Sequence, residues 1–140
     1  MPTEIQEGKV LNPVVKHITQ EKINLYAEAS GDFNPIHIDE SFAAKTPLGG
    51  TIAHGMLDLA YVSEMMTSAF GESWLSGGKL RAKFKEPARP GDTLTITGKI
   101  NCIEQKSDVS YANCGFECRN QKGEAIITGE AIVKLSSGKE

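Results

Sequence analysis

Residues 55–70, GMLDLAYVSEMMTSAF, carry apolar side chains on almost every side of a helix: Met56, Leu57, Leu59, Ala60, Tyr61, Val62, Met65, Met66, Ala69 and Phe70. A helix that is apolar nearly all round lies inside a core and not across its surface. Gly71 stands where such a helix would stop, since glycine takes the left-handed conformation that ends helices at little cost.

After this helix the period of the pattern falls from helical to two. Leu94, Ile96, Ile100 and Cys102 share one face of an extended run, while Thr93, Thr95, Thr97, Lys99 and Asn101 share the other. That alternation predicts an antiparallel strand with one wet side. Cys114, Phe116 and Cys118 repeat it, as do Ile127, Ala131, Val133 and Leu135. Pro90-Gly91-Asp92 reads as a turn feeding a strand and Gln121-Lys122-Gly123 as a hairpin turn. With Lys79 to Lys85 ahead of them, the strands form a meander. A long buried helix and a curved antiparallel sheet satisfy each other only if the sheet wraps the helix. The predicted fold is therefore α+β, a single hot-dog domain over residues 1–140. Its uncovered sheet edges predict a homodimer in which the sheet continues.

Toward the amino end, residues 19–30, TQEKINLYAEAS, predict a short surface helix. Thr19 can cap it, Lys22 replaces the Glu of a full capping box, Ile23, Tyr26 and Ala27 recur at helical spacing, and Gly31 offers the stop. The final SSGKE, 136–140, reads as a frayed tail.

Composition narrows the function. A chain of 140 residues is the common size of one domain. Its 15 Lys and Arg against 18 Asp and Glu leave a net charge of -3, so no global basic field favours nucleic acid or an anionic membrane. No cationic-then-apolar leader opens the sequence, and no run reaches the ~18 apolar residues of a membrane span, so a cytoplasmic protein is expected. Cys102, Cys114 and Cys118 lack Cys-x-x-Cys spacing and have no histidine cluster nearby, which predicts reduced, buried thiols and no metal.

Between the two helices lies GDFNPIHIDESFA, 31–43, where Asp32 and His37 stand five positions apart on a Pro-anchored loop. Gly-Asp and Asn-Pro are ordinary turn formers, so this pairing alone is compatible with a purely structural loop. Two features point further. TIAHGML puts Gly55 at the start of the buried helix, where its N–H lacks an intrahelical acceptor, lies at the positive end of the macrodipole and could stabilise an oxyanion. Ser63 follows eight residues later on the same helical face, roughly 12 Å along the axis, so it would not touch the same atom as the Gly55 amide. Its simpler reading is a core serine bonded to the carbonyl four residues back. Arg81, Lys83 and Lys85 alternate with Leu80, Ala82 and Phe84, which places three cations on one strand face. A solvated face explains them; a phosphate site is the weaker reading.

The stretch from Tyr26 to Ser63, YAEASGDFNPIHIDESFAAKTPLGGTIAHGMLDLAYVS, resembles the MaoC-like (R)-specific enoyl-CoA hydratases, or hydratase 2 family. The shared signature is an aromatic residue, a small-Gly-Asp turn, Asn-Pro, an apolar residue, His and an acid. It continues as HGM at 54–56 and more loosely as KFKEP at 83–87 and PGD at 90–92, over nearly the whole chain. The resemblance implies that Asp32 and His37 are the catalytic pair, that the Gly55 amide binds the thioester oxygen, and that Ser63 supports the site. Asn34 and Asp39 match scaffolding positions. Asp58 departs from the family by placing a carboxylate at a helix position that is usually small or apolar.

The implied reaction is reversible hydration of trans-2-enoyl-CoA to (R)-3-hydroxyacyl-CoA. It calls for no cofactor besides the coenzyme A of the substrate, with Arg81, Lys83 and Lys85 as phosphate-binding candidates. Three alternatives share this frame: a dehydratase on another 3-hydroxyacyl thioester, including one carried by acyl-carrier protein; a hot-dog thioesterase; and a non-catalytic acyl-CoA-binding protein. Met56, Met65, Met66 and Phe70 would suit either an adaptable acyl tunnel or an ordinary core.

Overall fold

A computed structural model of the protein describes residues 5–135, so the SSGKE segment lies outside the described residues. The elements run β1 (Val14–His17), α1 (Gln20–Ser30), α2 (Pro35–Ile38), α3 (Glu40–Ala44), α4 (Gly55–Phe70), α5 (Glu72–Gly77), β2 (Lys79–Phe84), β3 (Thr93–Lys106), β4 (Val109–Arg119) and β5 (Ala125–Lys134). The strands form one antiparallel sheet in the order β1-β3-β4-β5-β2. The meander β3-β4-β5 is its centre, and the two strands that precede it in sequence occupy its opposite edges.

Helix α4 packs against β1, β3 and β5, so the sheet curves around it as the apolar pattern requires. Leu57, Val62, Met65, Met66, Ala69 and Phe70 are buried against Leu94, Ile96, Ile100, Cys114, Phe116, Cys118, Ile127 and Val133. Burial of each large side chain contributes about 1.5–3 kcal/mol. The approach is close at Gly98, where a Cβ would stand 2.7 Å from the Met65 methyl and 3.2 Å from Leu11 Cδ1. The helix is not enclosed on every side, however. Met56 is 59% exposed, which the all-round apolar pattern did not predict.

The alternation in β3 breaks at Asn101. Ile100 pairs with Cys114 but Cys102 pairs with Asn113, so Asn101 is an extra residue and the strand bulges. A bulge exchanges the two faces of the strand beyond it. Ile103 consequently packs on the core, while Cys102, expected inside, is half-buried on the outer face and its sulfur accepts the Asn113 amide at 3.4 Å. Cys114 and Cys118 are buried free thiols as expected.

Helix α1 follows its signals closely. Thr19 Oγ1 accepts the Lys22 N–H at 3.1 Å, and Gly31, at φ 80°, donates its N–H to the Ala27 carbonyl at 2.8 Å. The turn at 121–123 is organised by Asn120, whose Oδ1 accepts the N–H groups of Lys122 and Glu124. Among the described residues, no helix is long and apolar enough to cross a membrane.

Candidate active site

The segment expected to be a polar loop folds instead as two short helical turns, α2 and α3, each started by a side chain. Asn34 Oδ1 accepts the Ile36 N–H at 3.2 Å, with Pro35 set at the first helical position, and Asp39 Oδ1 accepts the Phe42 N–H at 3.1 Å. Asn34 and Asp39 therefore shape backbone. Asp32 contributes to the same scaffold with one oxygen only: Oδ1 accepts the Asn34 N–H at 3.2 Å. Its Oδ2 faces His37 Nε2 at 4.0 Å.

His37 is 8% exposed, and its ring is fixed from the opposite side. Nδ1 lies 2.8 Å from the Ile52 carbonyl oxygen. A carbonyl can only accept, so Nδ1 carries the proton and the neutral ring presents a bare lone pair at Nε2. The gap of 4.0 Å to Asp32 is too long for a direct hydrogen bond, and a small oxygen species set to one side of it can touch both groups. Ile52 itself is held by strand-like bonds: its N–H reaches the Ile36 carbonyl at 3.1 Å, and the next N–H, of Ala53, reaches Ala88 at 2.7 Å. A polar relay steadies the His37 backbone as well. Gln20 Nε2 donates to the His37 carbonyl at 2.7 Å, Gln20 Oε1 accepts the Thr51 hydroxyl at 2.7 Å, and Glu40 Oε1 accepts the Thr51 N–H at 3.2 Å.

His54 joins this group, a role that the sequence reading did not assign. Its ring stacks on His37 with centroids 3.9 Å apart and meets Tyr26 edge-on at 4.9 Å. Its Nε2–H donates to the Asp32 backbone carbonyl at 3.0 Å. One buried imidazole thus ties the acid's backbone to the ring of its partner. The available signals were its adjacency to Gly55 and an aromatic residue, Tyr26, on α1. Ligand-type atoms of Asp32, His37 and His54 lie within 4.8 Å of one another. His37 Nδ1 and His54 Nε2 are both committed to carbonyls, which leaves one nitrogen free on each ring. The arrangement suits proton transfer better than convergence on one ion.

Because His54 is the N-cap of α4, Gly55 follows immediately and its amide opens the helix. The first helical bonds to the His54 carbonyl come from Leu57 at 3.0 Å and Asp58 at 3.2 Å, which leaves the N–H groups of Gly55 and Met56 without a helical acceptor. A side chain here would crowd its neighbour: a Cβ would lie 2.9 Å from Phe84 Cε1, so the exposed ring would have to shift to admit one. Gly55 lines a cleft of about 250 Å³ together with Ile52, Ala53, Asp58, Phe84, Lys85 and Pro87.

Asp58 is the most perturbed acid of the site region. It is 2% exposed, and its Oδ1 has no hydrogen-bond partner among the described residues. Burial first, and the charge of Asp92 second, push its pKa up to about 7.

The remaining candidates are dispersed. Ser63 does not approach Asp32 or His37 in its described contacts; its Oγ accepts the Trp74 indole N–H at 2.9 Å, and its carbonyl accepts the Thr67 hydroxyl at 2.8 Å. The expected row of three cations also divides. Arg81 and Lys83 lie on the outer face of β2, opposite Glu130 and Thr128, whereas Lys85 lies beyond the strand end and lines the Gly55 cleft.

The model of the MaoC like domain matches residues 3–113, ending within β4, and β5 completes the same sheet. The chain is 32% identical over 134 residues to the (R)-specific enoyl-CoA hydratase of Rhodospirillum rubrum, covering 94% of this chain and 89% of that protein. It is 31% identical over 128 residues to the 3-hydroxybutyryl-CoA dehydratase of Methylorubrum extorquens, covering 89% and 78%. The solved (R)-hydratase of Aeromonas caviae involved in PHA biosynthesis superposes with a TM-score of 0.79 at 27% identity, over 94% of this chain and 98% of that one. These matches identify the architecture as the hot-dog fold, and the chain belongs to the MaoC-like domain family.

Proposed function

We propose that this protein hydrates trans-2-enoyl-CoA reversibly to (R)-3-hydroxyacyl-CoA. The observation that carries the reading is the Nδ1–H bond from His37 to Ile52, which turns a bare Nε2 toward Asp32 beside the open amino end of α4. With the thioester oxygen on the Gly55 N–H, the helix dipole opposes the negative charge that gathers there during attack. A water touching Asp32 and His37 forms the new bond from its oxygen to C3, and the C2–C3 π pair moves toward the thioester. The water gives one proton to the pair, and the pair returns one proton to C2. Water is the nucleophile, so the reaction itself requires no metal or redox cofactor. Lys85, at the cleft rim, is the best placed of the three cations to meet the coenzyme A arm.

The same reading includes a homodimer in a reducing cytoplasm. The outer edge of β2 has no strand partner among the described residues, and Phe84, Met56 and Phe33 leave apolar surface around the site. No disulfide joins the three cysteines. The test is the loss of enoyl-thioester absorbance with crotonyl-CoA, followed together with a free-thiol reagent. Loss of absorbance without thiol release is expected. Thiol release would identify a thioesterase, and binding without turnover a non-catalytic protein.

A further inference from the structure

We infer that Asp58 is a specificity-determining residue, which selects acyl chains bearing a hydrogen-bonding group, such as a hydroxyl, a few bonds beyond the thioester. The inference rests on the proposed use of the Gly55 amide as the seat of the thioester oxygen.

Three observations carry it. Asp58 lines the cleft that Gly55 opens, one helical turn further into α4, about 4.5 Å along the axis. Its side chain is almost wholly buried, and Oδ1 has no partner among the described residues. A buried carboxyl oxygen without a partner is costly and calls for an occupant of the cleft that can bond to it.

Depth decides which end of the substrate meets it. A coenzyme A arm must lead out to solvent, past the exposed Lys85 and Glu86 at the rim, while the acyl chain leads inward. Asp58 is on the inner side, so its partner belongs to the acyl chain. The charged and titratable groups near it are Asp92, Tyr61 on its own helix, Cys118 on β4, and Lys85 and Glu86 across the cleft. None of them makes a hydrogen bond to it among the described residues. With its pKa held up near 7, the carboxyl is largely protonated in mildly acidic solution and can donate as well as accept. A plain alkyl chain would leave that capacity unused, and a site built to bond a hydroxyl rejects the analogue that lacks one.

The test uses saturated thioesters, which cannot be hydrated, so it does not depend on turnover. Calorimetric affinities are compared for 4-hydroxybutyryl-CoA against butyryl-CoA and for 5-hydroxyvaleryl-CoA against valeryl-CoA, with wild type, Asp58→Leu and Asp58→Asn. In at least one pair the wild type is expected to favour the hydroxylated ester by ~10-fold. Asp58→Leu should lose or reverse that preference, and Asp58→Asn, which keeps a polar group and guards against a folding failure of the leucine variant, should retain part of it. An equal affinity for both members of each pair in the wild type overturns the inference. So does a preference that survives in Asp58→Leu, or a loss shared by both esters and by coenzyme A alone, which would move Asp58 to the thiol arm. A protein that shows the preference yet fails to hydrate crotonyl-CoA contradicts the reaction and not the role of Asp58; active hydration without the preference contradicts the role of Asp58 alone.

Discussion

The two ends of α4 are built to opposite specifications. At the carboxy end Met65, Met66, Ala69 and Phe70 are buried, Trp74 donates to Ser63, Thr67 donates to the Ser63 carbonyl, and the Gly71 N–H closes the last turn on Thr67. Every polar group named there has a partner. At the amino end His54 makes no side-chain cap, the amides of Gly55 and Met56 have no helical acceptor, and both His54 Nδ1 and Asp58 Oδ1 are buried without partners among the described residues. One end uses its hydrogen-bonding capacity on the fold, and the other leaves it unused, as the proposed ligand site requires. That asymmetry within a single helix is what separates the stability of this protein from its chemistry.

Substitutions should separate the two ends in measurable ways. The largest effect on stability is expected from Met66→Ala, which empties a fully buried position and should cost about 2–5 kcal/mol in denaturant unfolding, with the activity of the folded fraction unchanged. Asp58→Asn should do the reverse of harm. A carboxyl raised from 3.8 to about 7 contributes stability that is full below its unfolded value and is lost as pH rises through its folded one. The amide does not titrate, so the variant should match wild type near pH 4 and exceed it at pH 8 by up to about 4 kcal/mol, read from melting curves at the two pH values.

Gly55→Ala should lower kcat/KM for crotonyl-CoA by ~100-fold, because a methyl group there meets Phe84 and crowds the amide. Its Tm should change little, since alanine suits a helix and the half-exposed Phe84 ring can yield. The smallest effect belongs to Ser63→Ala, which leaves the buried Trp74 N–H unpaired at a cost of about 1 kcal/mol while kcat/KM stays within about twofold. A large activity loss in Ser63→Ala would join the two ends functionally and break the division.

The same division marks what could be read from the sequence. Both limits of α4, both limits of α1 and the β3-β4-β5 meander follow from periodicity and glycine stops, because packing and local propensity agree there. The bulge at Asn101 was not legible: a period of two says nothing about one inserted residue, so Cys102 was expected on the wrong face. Strand β1, with four residues, and the helices α2 and α3, with four and five, are too short to show a period. Within the candidate site, Asp32, His37 and Gly55 stood out by residue type and position. His54 did not, because its role depends on stacking and on a carbonyl 22 residues away. Asp58 was visible only as a carboxylate in an apolar helix; its isolation becomes apparent once the chain is folded around it.

The most direct test of the account is kcat/KM for crotonyl-CoA in Asp32→Asn and His37→Gln, each measured alongside its melting curve. The pair is predicted to act together, so each single variant should lose at least ~1,000-fold and the double variant little more, while all three keep melting temperatures within a few degrees of wild type. Retention of near-wild-type activity by either folded single variant would contradict the assignment and leave Asp32 and His37 as parts of a turn.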